Sequence, residues 1–350
     1  MAETRMMKAA VLAGPKRIEI KQLPVPEIQP GEMEIDISAI GVCGSDIHMW
    51  QTGKGWNPDL TENFVMGHEF CGVVSNPGDS DFKVGDRVVY WANMYCGTCD
   101  MCRAGQEQLC REVNGQNYIG FVRNGGYAEK FVWKASNAYK LPDTVSDTAA
   151  GLIDPLMVAY HAVKVSGMKL HDKVLVVGSG IIAQLTGGLV KKAGASYLAM
   201  AKRNDRKLGL AKKIGDFDDY FDSSIPDAGV KMSEAVSGGF DVVFECVGTE
   251  SSVAAAIDAV KPGGTIVTVG NSIDPTIQMS LNKIVLHEIR FIGSVSCTRE
   301  EFEETIDLIA SGMLDADKYV TDVMPLDELQ HAFERLTSST DPVVKIVVKP

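Results

Sequence analysis

Four cysteines lie within fifteen residues, at Cys96, Cys99, Cys102 and Cys110. Four thiolates on so short a segment can fill the tetrahedral shell of Zn²⁺, and a shell filled by protein ligands leaves no position for a reactant. Iron–sulfur clusters use comparable four-cysteine spacings and are the main alternative. The gaps are too short for an ordinary disulfide framework. The spacing therefore predicts a closed, structural metal site, with zinc as the favoured ion.

A second set of metal-binding side chains precedes and follows this segment. Cys43 opens the stretch Cys-Gly-Ser-Asp-Ile-His, and His68 and Glu69 belong to a Gly-His-Glu triplet. A thiolate, an imidazole and one carboxylate, from Glu69 or from Asp154, would supply three protein ligands to Zn²⁺ and leave a fourth position open. The pattern predicts a catalytic zinc in addition to the structural one, hence two zinc ions per chain.

A glycine-rich turn indicates a nucleotide site. The stretch Gly178–Ala183 reads Gly-Ser-Gly-Ile-Ile-Ala, follows the apolar run Val174–Val177 and opens a predicted helix. This is the dinucleotide fingerprint in its required context, between a strand and a helix. Gly178 permits the tight turn, and Gly180 lets the backbone approach a pyrophosphate at the helix N-terminus. The turn predicts a bound dinucleotide.

The end of the next strand bears on the choice between NAD(H) and NADP(H). An NAD site places an acid roughly 20 residues beyond the glycines, to bind the ribose 2′-hydroxyl. Lys202 stands where that acid belongs, with Arg203 beside it. This basic pair would attract a 2′-phosphate, and Arg203 could bind it through two hydrogen bonds. The pair favours NADP(H). Asp205, as a displaced acid, would favour NAD(H), which stays an alternative.

The elements that must position these residues fall into two parts, and together they indicate an α/β protein. Up to about Pro155 the chain is β-rich, with β-branched runs punctuated by Pro and Gly. From Lys173 strands alternate with helices, which predicts a parallel, doubly wound sheet. The predicted strands are Glu34–Ile40, Gly72–Ser75, Arg87–Trp91, Tyr127–Val132, Val174–Val177, Tyr197–Met200, Asp241–Cys246, Thr265–Val269 and Val343–Val348. The predicted helices are Ile181–Ala193, Lys207–Ile214, Ser251–Val260, Glu300–Ala310 and Leu326–Leu336.

Bulk properties narrow the class of protein. A chain of 350 residues is long enough for two domains. Its net charge of −12 argues against a nucleic-acid partner, because a phosphate backbone would be repelled. No apolar run reaches the roughly 18–20 residues of a membrane span, and the first residues have no apolar signal core. We therefore expect a cytoplasmic protein that acts on a small molecule, without a membrane or nucleic-acid partner.

These motifs together resemble the zinc-dependent medium-chain dehydrogenases, in the polyol branch of sorbitol, threonine and butanediol dehydrogenases. The resemblance covers essentially the whole chain. It implies a GroES-like catalytic domain, residues 1–157 and 295–350, split around a Rossmann domain, residues 158–294. It also implies a homodimer or homotetramer. The matching stretches are Gly41–His48, Gly67–Glu69, Cys96–Cys110, Gly125–Glu129, Asp154–Leu156, Gly178–Ala183 and Lys261–Gly264.

The resemblance implies an activity, hydride transfer between a nicotinamide cofactor and a secondary alcohol or ketone, such as a polyol, a sugar derivative or another small hydroxylated substrate. The basic pair Lys202 and Arg203 favours NADP(H) as that cofactor. It implies that the Ser45 hydroxyl passes the alcohol proton towards solvent through His48. Asp46 would orient His68 through the second ring nitrogen. Asp154 stands where the polyol branch usually has Glu. The residues expected to bind the cofactor are Gly178, Gly180, Ile181, Ile182, Lys202, Arg203, Val247 and Val269.

Two alternatives remain at this level. One is an NAD(H)-dependent polyol or amino-alcohol dehydrogenase. The other is a non-catalytic NADPH-binding protein, which would be expected to lack Cys43, His68 or Ser45, although all three are present. The substrate pocket is poorly specified, and its candidates are Ser45, Trp50, Trp56, Phe121 and the segment Ser294–Arg299.

Overall fold

The chain divides into two compact units. The structure, a computed structural model, describes residues 4–55, 63–112, 118–271 and 276–350. One unit comprises Met1–Asp154 and Thr298–Pro350, and the other comprises Pro155–Cys297. The domain ends predicted at 157 and 294 lie three residues from the limits at 154 and 297. Over the described ranges, no helix is both long and apolar enough to cross a membrane.

Strands and helices follow one another in the order expected of an α/β protein. The strands are β1 (Met6–Gly14), β2 (Arg17–Pro24), β3 (Glu32–Gly41), β4 (Glu69–Asn76), β5 (Arg87–Tyr90), β6 (Lys130–Lys134), β7 (Ala138–Lys140), β8 (Lys173–Val177), β9 (Tyr197–Lys202), β10 (Asp219–Asp222), β11 (Phe240–Glu245), β12 (Val260–Thr268), β13 (Arg290–Gly293), β14 (Asp322–Pro325) and β15 (Ile346–Lys349). The helices are α1 (Gly44–Thr52), α2 (Asp100–Arg103), α3 (Asp147–Ala150), α4 (Ile153–Ser166), α5 (Ile181–Lys192), α6 (Leu208–Ile214), α7 (Ala228–Ala235), α8 (Glu250–Ala259), α9 (Leu281–Leu286), α10 (Arg299–Ala310) and α11 (Leu329–Thr337).

The first unit is a GroES-like β-structure. Its main sheet has the order β14-β15-β3-β4-β5-β7, with β6 also paired to β3, and β1 and β2 form a separate hairpin. Aromatic side chains from three strands, Phe70, Tyr90 and Phe131, pack with ring centroids 4.7–5.5 Å apart. Such aromatic pairs add to the stabilisation that burial of their area already provides. The β-rich character predicted for this part of the chain is confirmed.

Register in this sheet brings three distant segments together. Gly41 at the end of β3 pairs with Glu69 at the start of β4 on one side. On its other side Gly41 pairs with Val347 of β15. The loop that begins α1, the Gly-His-Glu triplet and the C-terminal strand therefore meet at one end of the sheet.

The second unit is a parallel, doubly wound sheet with the order β10-β9-β8-β11-β12-β13. Counted from β8, this is the 3-2-1-4-5-6 order of the Rossmann fold, which confirms the predicted fold class. Its central strands are continuous apolar runs, because helices cover both faces. The topological switch point lies between β8 and β11, where a crevice at the carboxyl ends of the strands is the expected ligand site.

Three predicted elements begin later than expected. The strand predicted from Tyr127 starts at Lys130, because Ala128 instead forms an isolated bridge with Ala9 of β1. The last strand was predicted from Val343, but pairing starts at Ile346. The Thr321 hydroxyl accepts hydrogen bonds from the backbone of Val344 and Lys345, each at 3.1 Å, and so replaces a strand partner. The helix predicted from Leu326 begins with a 3₁₀ turn and becomes α-helical at Leu329.

Candidate metal centres and cofactor pocket

The four clustered cysteines form a site whose size fits one zinc ion. The sulfur atoms of Cys96 and Cys102 are 3.9 Å apart, as are those of Cys99 and Cys110. A tetrahedral shell with Zn–S bonds of about 2.3 Å has sulfurs about 3.8 Å apart. All eight cysteines of the chain are free thiols, so no disulfide competes for these sulfurs.

Local donors favour the thiolate form of Cys96 and Cys99, whereas burial raises the pKa of Cys102 to about 12. The amides of Thr98 and Cys99 donate to Cys96 Sγ at 3.3 and 3.2 Å. The Thr98 hydroxyl and these amides lower the pKa of the Cys96 thiol to about 6. Hydrogen bonds to a thiolate favour the charged form, which is the form that binds metal.

Arg299 ties the cysteine segment to helix α10. Its Nε donates to the Tyr139 hydroxyl at 3.1 Å, and its backbone amide donates to Glu107 at 3.4 Å. Its guanidinium lies 5.4 Å from the ring centroid of Tyr95. From the sequence, Arg299 belonged to a candidate substrate segment. In the structure its contacts are with Tyr139, Glu107 and Tyr95 of the first unit.

A second group of metal-binding atoms converges at the end of the sheet in the same unit. One ligand atom each from Cys43, His68 and Glu69 lies within 4.8 Å of the others. Cys43 is the N-cap of α1, and Glu69 is the first residue of β4. His68 and Glu69 are buried, whereas Cys43 is partly exposed. The thiolate, imidazole and carboxylate fit a zinc site that keeps one position open.

Asp46 organises this site through both carboxylate oxygens. Its Oδ2 accepts hydrogen bonds from the Cys43 amide at 3.2 Å and from the Tyr127 hydroxyl at 2.7 Å. Its Oδ1 lies 3.4 Å from His68 Nδ1, close enough for attraction although not aligned as a hydrogen bond. Burial disfavours a charged His68, but Asp46 and Cys43 outweigh it and raise the pKa of this imidazole well above its usual value.

Lys345 is a residue of the candidate site that the sequence interpretation missed. Its side chain is fully buried, donates to the Val42 carbonyl at 3.0 Å and forms an ion pair with Glu69 Oε2. A buried carboxylate and a buried ammonium each need such a partner, because removal from water is costly for either charge alone. The available signal was a single lysine inside the apolar run Val343–Val348.

Gly41 makes room for this ion pair. A Cβ atom at Gly41 would lie 2.2 Å from Glu69 Oε2 and 2.2 Å from the Gly151 carbonyl oxygen. Any side chain at this position would push on the Glu69 carboxylate or on the backbone of Gly151. The close approach explains why glycine precedes the Val42-Cys43 segment.

Asp154 does not join the three converging ligand atoms within 4.8 Å. Loss of solvation around its carboxyl raises the pKa of Asp154 to about 7, although the residue as a whole is only partly buried. His68 and Lys345 pull this pKa down, whereas Glu69 and Asp46 push it up. Of the two carboxylates proposed from the sequence, Glu69 is the one that the structure places beside Cys43 and His68.

The two residues of the expected proton path lie on α1. Ser45 and His48 are three positions apart and therefore share one side of the helix. The Ser45 hydroxyl is buried and has no hydrogen-bond partner among the described residues, whereas His48 is exposed. A buried hydroxyl without a protein partner is suited to a ligand or to water.

The predicted pocket aromatics separate into two groups. Phe121 packs on the metal-site histidine, with its ring centroid 4.6 Å from that of His68. Trp50 instead packs against Phe333 at 5.6 Å and donates to Gln330 at 3.3 Å, which are core contacts. Trp56 lies outside the described residues.

The second unit holds a cavity of about 450 Å³ at the fingerprint turn. Gly178 adopts a φ of +126°, which residues with a side chain rarely adopt, and Gly180 is the N-cap of α5. Strands β8, β9 and β11 end at this cavity, as expected at a switch point. Of the predicted cofactor residues, Gly178, Gly180, Arg203 and Val247 line it, and Ile181, Ile182, Lys202 and Val269 do not.

One wall of the cavity is basic. Arg203, Arg206 and Lys207 line it, and none of the described lining residues is Asp or Glu. Lys202 is turned to another partner, because its Nζ lies 2.6 Å from Asp205 Oδ1. The displaced acid considered from the sequence is therefore engaged by the neighbouring lysine. A wall of this kind attracts anionic groups of a ligand.

Known proteins resemble this chain over its whole length. Residues 29–143 match the alcohol dehydrogenase GroES-like domain, and residues 182–311 match the zinc-binding dehydrogenase family. The chain is 31% identical to L-threonine 3-dehydrogenase of Rhizobium rhizogenes, over 96% of each protein. It is 29% identical to sorbitol dehydrogenase of Bacillus subtilis, over 98% of this chain and 97% of the relative.

The same likeness extends to three dimensions. A solved structure from Sinorhizobium meliloti 1021, named a zinc-binding dehydrogenase and bound to NADP, superposes with a TM-score of 0.87. It is 30% identical in sequence, and the match covers 99% of this chain and 100% of that one. Sequence and structure thus point to the same group of proteins as the motifs.

Proposed function

Because this chain belongs to the zinc-dependent medium-chain dehydrogenases, in the branch of sorbitol and threonine dehydrogenases, we propose that it transfers a hydride between NADP(H) and a secondary alcohol or ketone. The proposed substrate is a small hydroxylated molecule such as a polyol or a sugar derivative. The proposal includes two zinc ions per chain, one held by Cys43, His68 and Glu69 and one held by the four clustered cysteines.

The observation that carries the proposal is the convergence of Cys43, His68 and Glu69 within 4.8 Å at the end of the sheet. When bound, zinc at this group supplies a Lewis acid for the substrate oxygen, and the nicotinamide supplies the hydride carrier. A protein that only binds NADPH would not need a three-ligand metal site with an open position. The presence of that site, supported by Asp46 and Lys345, therefore favours an enzyme.

We assign the residues around the metal ligands separate roles in orientation, charge balance and proton transfer. Asp46 fixes the ring orientation of His68, and Tyr127 holds Asp46 in place. Lys345 balances the charge of Glu69 inside the protein. Ser45 takes the alcohol proton, and His48, exposed one turn along α1, exchanges it with solvent. The proposed roles of Asp46, Tyr127 and Lys345 rest on these contacts. Those of Ser45 and His48 rest on the buried hydroxyl, the exposed imidazole and their spacing on α1.

NADP(H) is favoured over NAD(H) by the basic wall of the cofactor cavity. Arg203 lines that wall, while no carboxylate among the described lining residues is available for the ribose 2′-hydroxyl. An arginine side chain binds a phosphate group through two parallel hydrogen bonds. The NADP in the Sinorhizobium meliloti structure adds support from a related protein.

A homodimer or homotetramer is part of the proposal, and one surface of the second unit supports it. Leu281, Val285 and Leu286 on helix α9 are exposed. Strand β13 next to this helix in sequence is an edge strand, with one row of backbone groups unpaired within its own sheet. Exposed apolar side chains and an open edge are features that proteins usually cover.

Metal content and coenzyme use test the proposal together. We expect two zinc ions per chain in the wild type and one in Cys43→Ala, with the loss of alcohol oxidation. Cys71→Ala is the matched control, because Cys71 is a buried thiol outside both metal groups. It should keep both metal ions.

An activity screen then distinguishes the alternatives. NADP⁺-linked oxidation of at least one polyol, sugar acid or amino alcohol is the expected result. Equal or better turnover with NAD⁺ would support the NAD(H)-dependent alternative. The absence of turnover with every substrate class, in protein that holds both metal ions, would favour the non-catalytic alternative.

A further inference from the structure

The indole ring of Trp133, in strand β6 of the first unit, lies beside two cations. The guanidinium carbon of Arg123 is 3.8 Å from the centroid of this ring, and the ammonium nitrogen of Lys134 is 5.9 Å from it. An aromatic ring attracts a cation through its electron-rich face but carries no net charge. The two positive charges are therefore held near each other without being neutralised.

Neither cation has a counter-charge in the part of the chain that the structure describes. No acidic side chain there forms an ion pair with Arg123 or Lys134. Burial lowers the pKa of Arg123, and the charge of Glu32 offsets this effect only in part. Glu32 itself accepts a hydrogen bond from the Gln29 amide at 3.0 Å. A cation removed from water without a counter-charge is costly, so Arg123 is expected to serve an anion.

Both cations line a cavity of about 450 Å³. Met94, Tyr95 and Trp133 supply apolar and aromatic surface to it, and Ser136 and Asn137 supply polar groups. Apolar walls with a few charged and hydrogen-bonding groups are typical of a site for a small organic molecule.

Hydrogen bonds fix the walls of this cavity. Asn137 is buried, and its side-chain amide donates to the Asn93 carbonyl at 3.0 Å. The Arg123 carbonyl accepts from the Gly120 amide at 3.0 Å, which holds the backbone that carries the guanidinium. Two donors in this frame, Arg123 Nε and Trp133 Nε1, are buried without a hydrogen-bond partner among the described residues. Buried donors are usually satisfied, so these two also point to a ligand.

We propose that this cavity binds a small organic carboxylate, whose charged group pairs with Arg123 and whose apolar body packs on Trp133 and Tyr95. The planar guanidinium matches a carboxylate through two parallel hydrogen bonds. A single negative charge fits this cavity better than a phosphate dianion does, because Glu112 and Cys96 also line it. Glu112 is acidic, and a zinc ion held by four thiolates carries a net negative charge.

The proposed carboxylate site is separate from the sites described above. None of its described lining residues belongs to the Cys43 group or to the cofactor cavity. It shares Cys96 with the closed metal site, but a metal ion enclosed by four cysteines has no position for a carboxylate. The inference therefore does not depend on the proposed hydride transfer.

Isothermal titration calorimetry with benzoate tests the proposal, in zinc-loaded full-length protein whose cofactor cavity is saturated with NADP⁺. Benzamide has nearly the same shape without the charge and is the matched ligand control. We expect benzoate to bind with a dissociation constant of about 1 mM or less. Benzamide should bind at least about tenfold more weakly, because it cannot form the charged pair with Arg123.

Variants assign the binding to this cavity. Arg123→Met should weaken benzoate binding by about 10- to 100-fold and leave benzamide binding unchanged. Arg17→Met, at an exposed arginine of the same unit, is the control and should bind benzoate as the wild type does. Because a carboxylate can also coordinate the zinc proposed at the Cys43 group, the titration is repeated in Cys43→Ala. Binding that depends on Arg123 should remain there.

Four results would overturn the assignment. They are the absence of benzoate binding, equal binding of benzoate and benzamide, benzoate binding that Arg123→Met leaves unchanged, and benzoate binding that disappears in Cys43→Ala. The comparison of the two ligands uses the wild-type protein, so the test stays informative if Arg123→Met folds poorly.

Discussion

Asp46 Oδ1 lies 3.4 Å from His68 Nδ1, on the side of the imidazole ring away from Nε2. The other oxygen of Asp46 holds the first turn of α1 through the Cys43 amide. The Asp46 carboxylate therefore contacts one candidate metal ligand, His68, and also holds the start of α1. The N-cap of that helix is Cys43, a second candidate ligand.

Asp46→Asn should weaken zinc binding at the Cys43 group by about 10- to 100-fold, the usual effect of losing a carboxylate behind a ligating histidine. Competition with a chromogenic chelator measures this affinity. The exposed Asp143→Asn variant is the control and should bind zinc normally. A zinc affinity in Asp46→Asn equal to that of the control would contradict the orienting role.

Lys345→Met should lower the free energy of unfolding by about 3 kcal/mol or more, because it leaves the Glu69 carboxylate buried without its partner. The loss should be larger in metal-free protein, since no other cation then offsets the carboxylate. Denaturant titration measures both states. Lys349→Met, at the exposed end of the strand that follows Lys345, should change stability by less than about 0.5 kcal/mol.

The double variant Lys345→Met with Glu69→Gln separates a charge effect from a packing effect. We expect it to be more stable than Lys345→Met alone, because the uncompensated charge is gone. Equal stability of the two variants would mean that Lys345 acts mainly through its alkyl chain.

Cys99→Ala should release the closed zinc and lower the melting temperature, while the ion at the Cys43 group is retained. Metal binding to such a site contributes directly to folding free energy. Metal analysis should give one ion per chain, and alcohol oxidation at low temperature should persist. Loss of both ions would instead show that the two sites depend on each other.

Glu34→Gln should reduce stability in a pH-dependent way. Burial alone would raise the pKa of Glu34, but hydrogen bonds from Arg5 and Ser75 and the charge of Lys130 outweigh it and lower that pKa. A lowered folded-state pKa contributes stability above the unfolded value, and that contribution is lost as the pH falls through the folded value.

Urea titrations of wild type and Glu34→Gln at several pH values measure this effect. The difference between them should be about 1.5–3 kcal/mol at neutral pH. It should shrink below about pH 5, where the unfolded-state carboxyl begins to take up its proton. The exposed Asp143→Asn variant is the control and should change stability by less than about 0.5 kcal/mol. A constant large difference for Glu34→Gln would contradict the role of its charge.

Sequence spacing was enough to locate groups of residues that lie close together along the chain. The four cysteines could be grouped, and the Gly178–Ala183 turn could be placed between β8 and α5, because both patterns are short in the sequence. Lys345 could not, because it meets Glu69 only through the pairing of β15, β3 and β4 across 276 residues of chain. Its one signal, a lysine in an apolar run, is also compatible with an edge strand.

Two lysines at and after the end of β9 show a second limit. Lys202 and Lys207 are both near the position where an NAD site places its acid, and residue type alone does not say which of them lines the cavity. That depends on the turn between β9 and α6, which directs Lys202 to Asp205. Arg299 likewise finds Tyr139 and Glu107 through tertiary packing that no local pattern encodes.

Because Glu69 is paired with Lys345 near the C-terminus, the first unit cannot be completed until the end of translation. The first unit is discontinuous, and the strand that brings Lys345 is translated after the entire second unit. The unit Pro155–Cys297 can fold on the nascent chain before Lys345 is synthesised. During that time Glu69, in the earlier segment, lacks its ion-pair partner. The nucleotide-binding half can thus mature first, and the metal-binding half is completed only when the last strand joins its sheet.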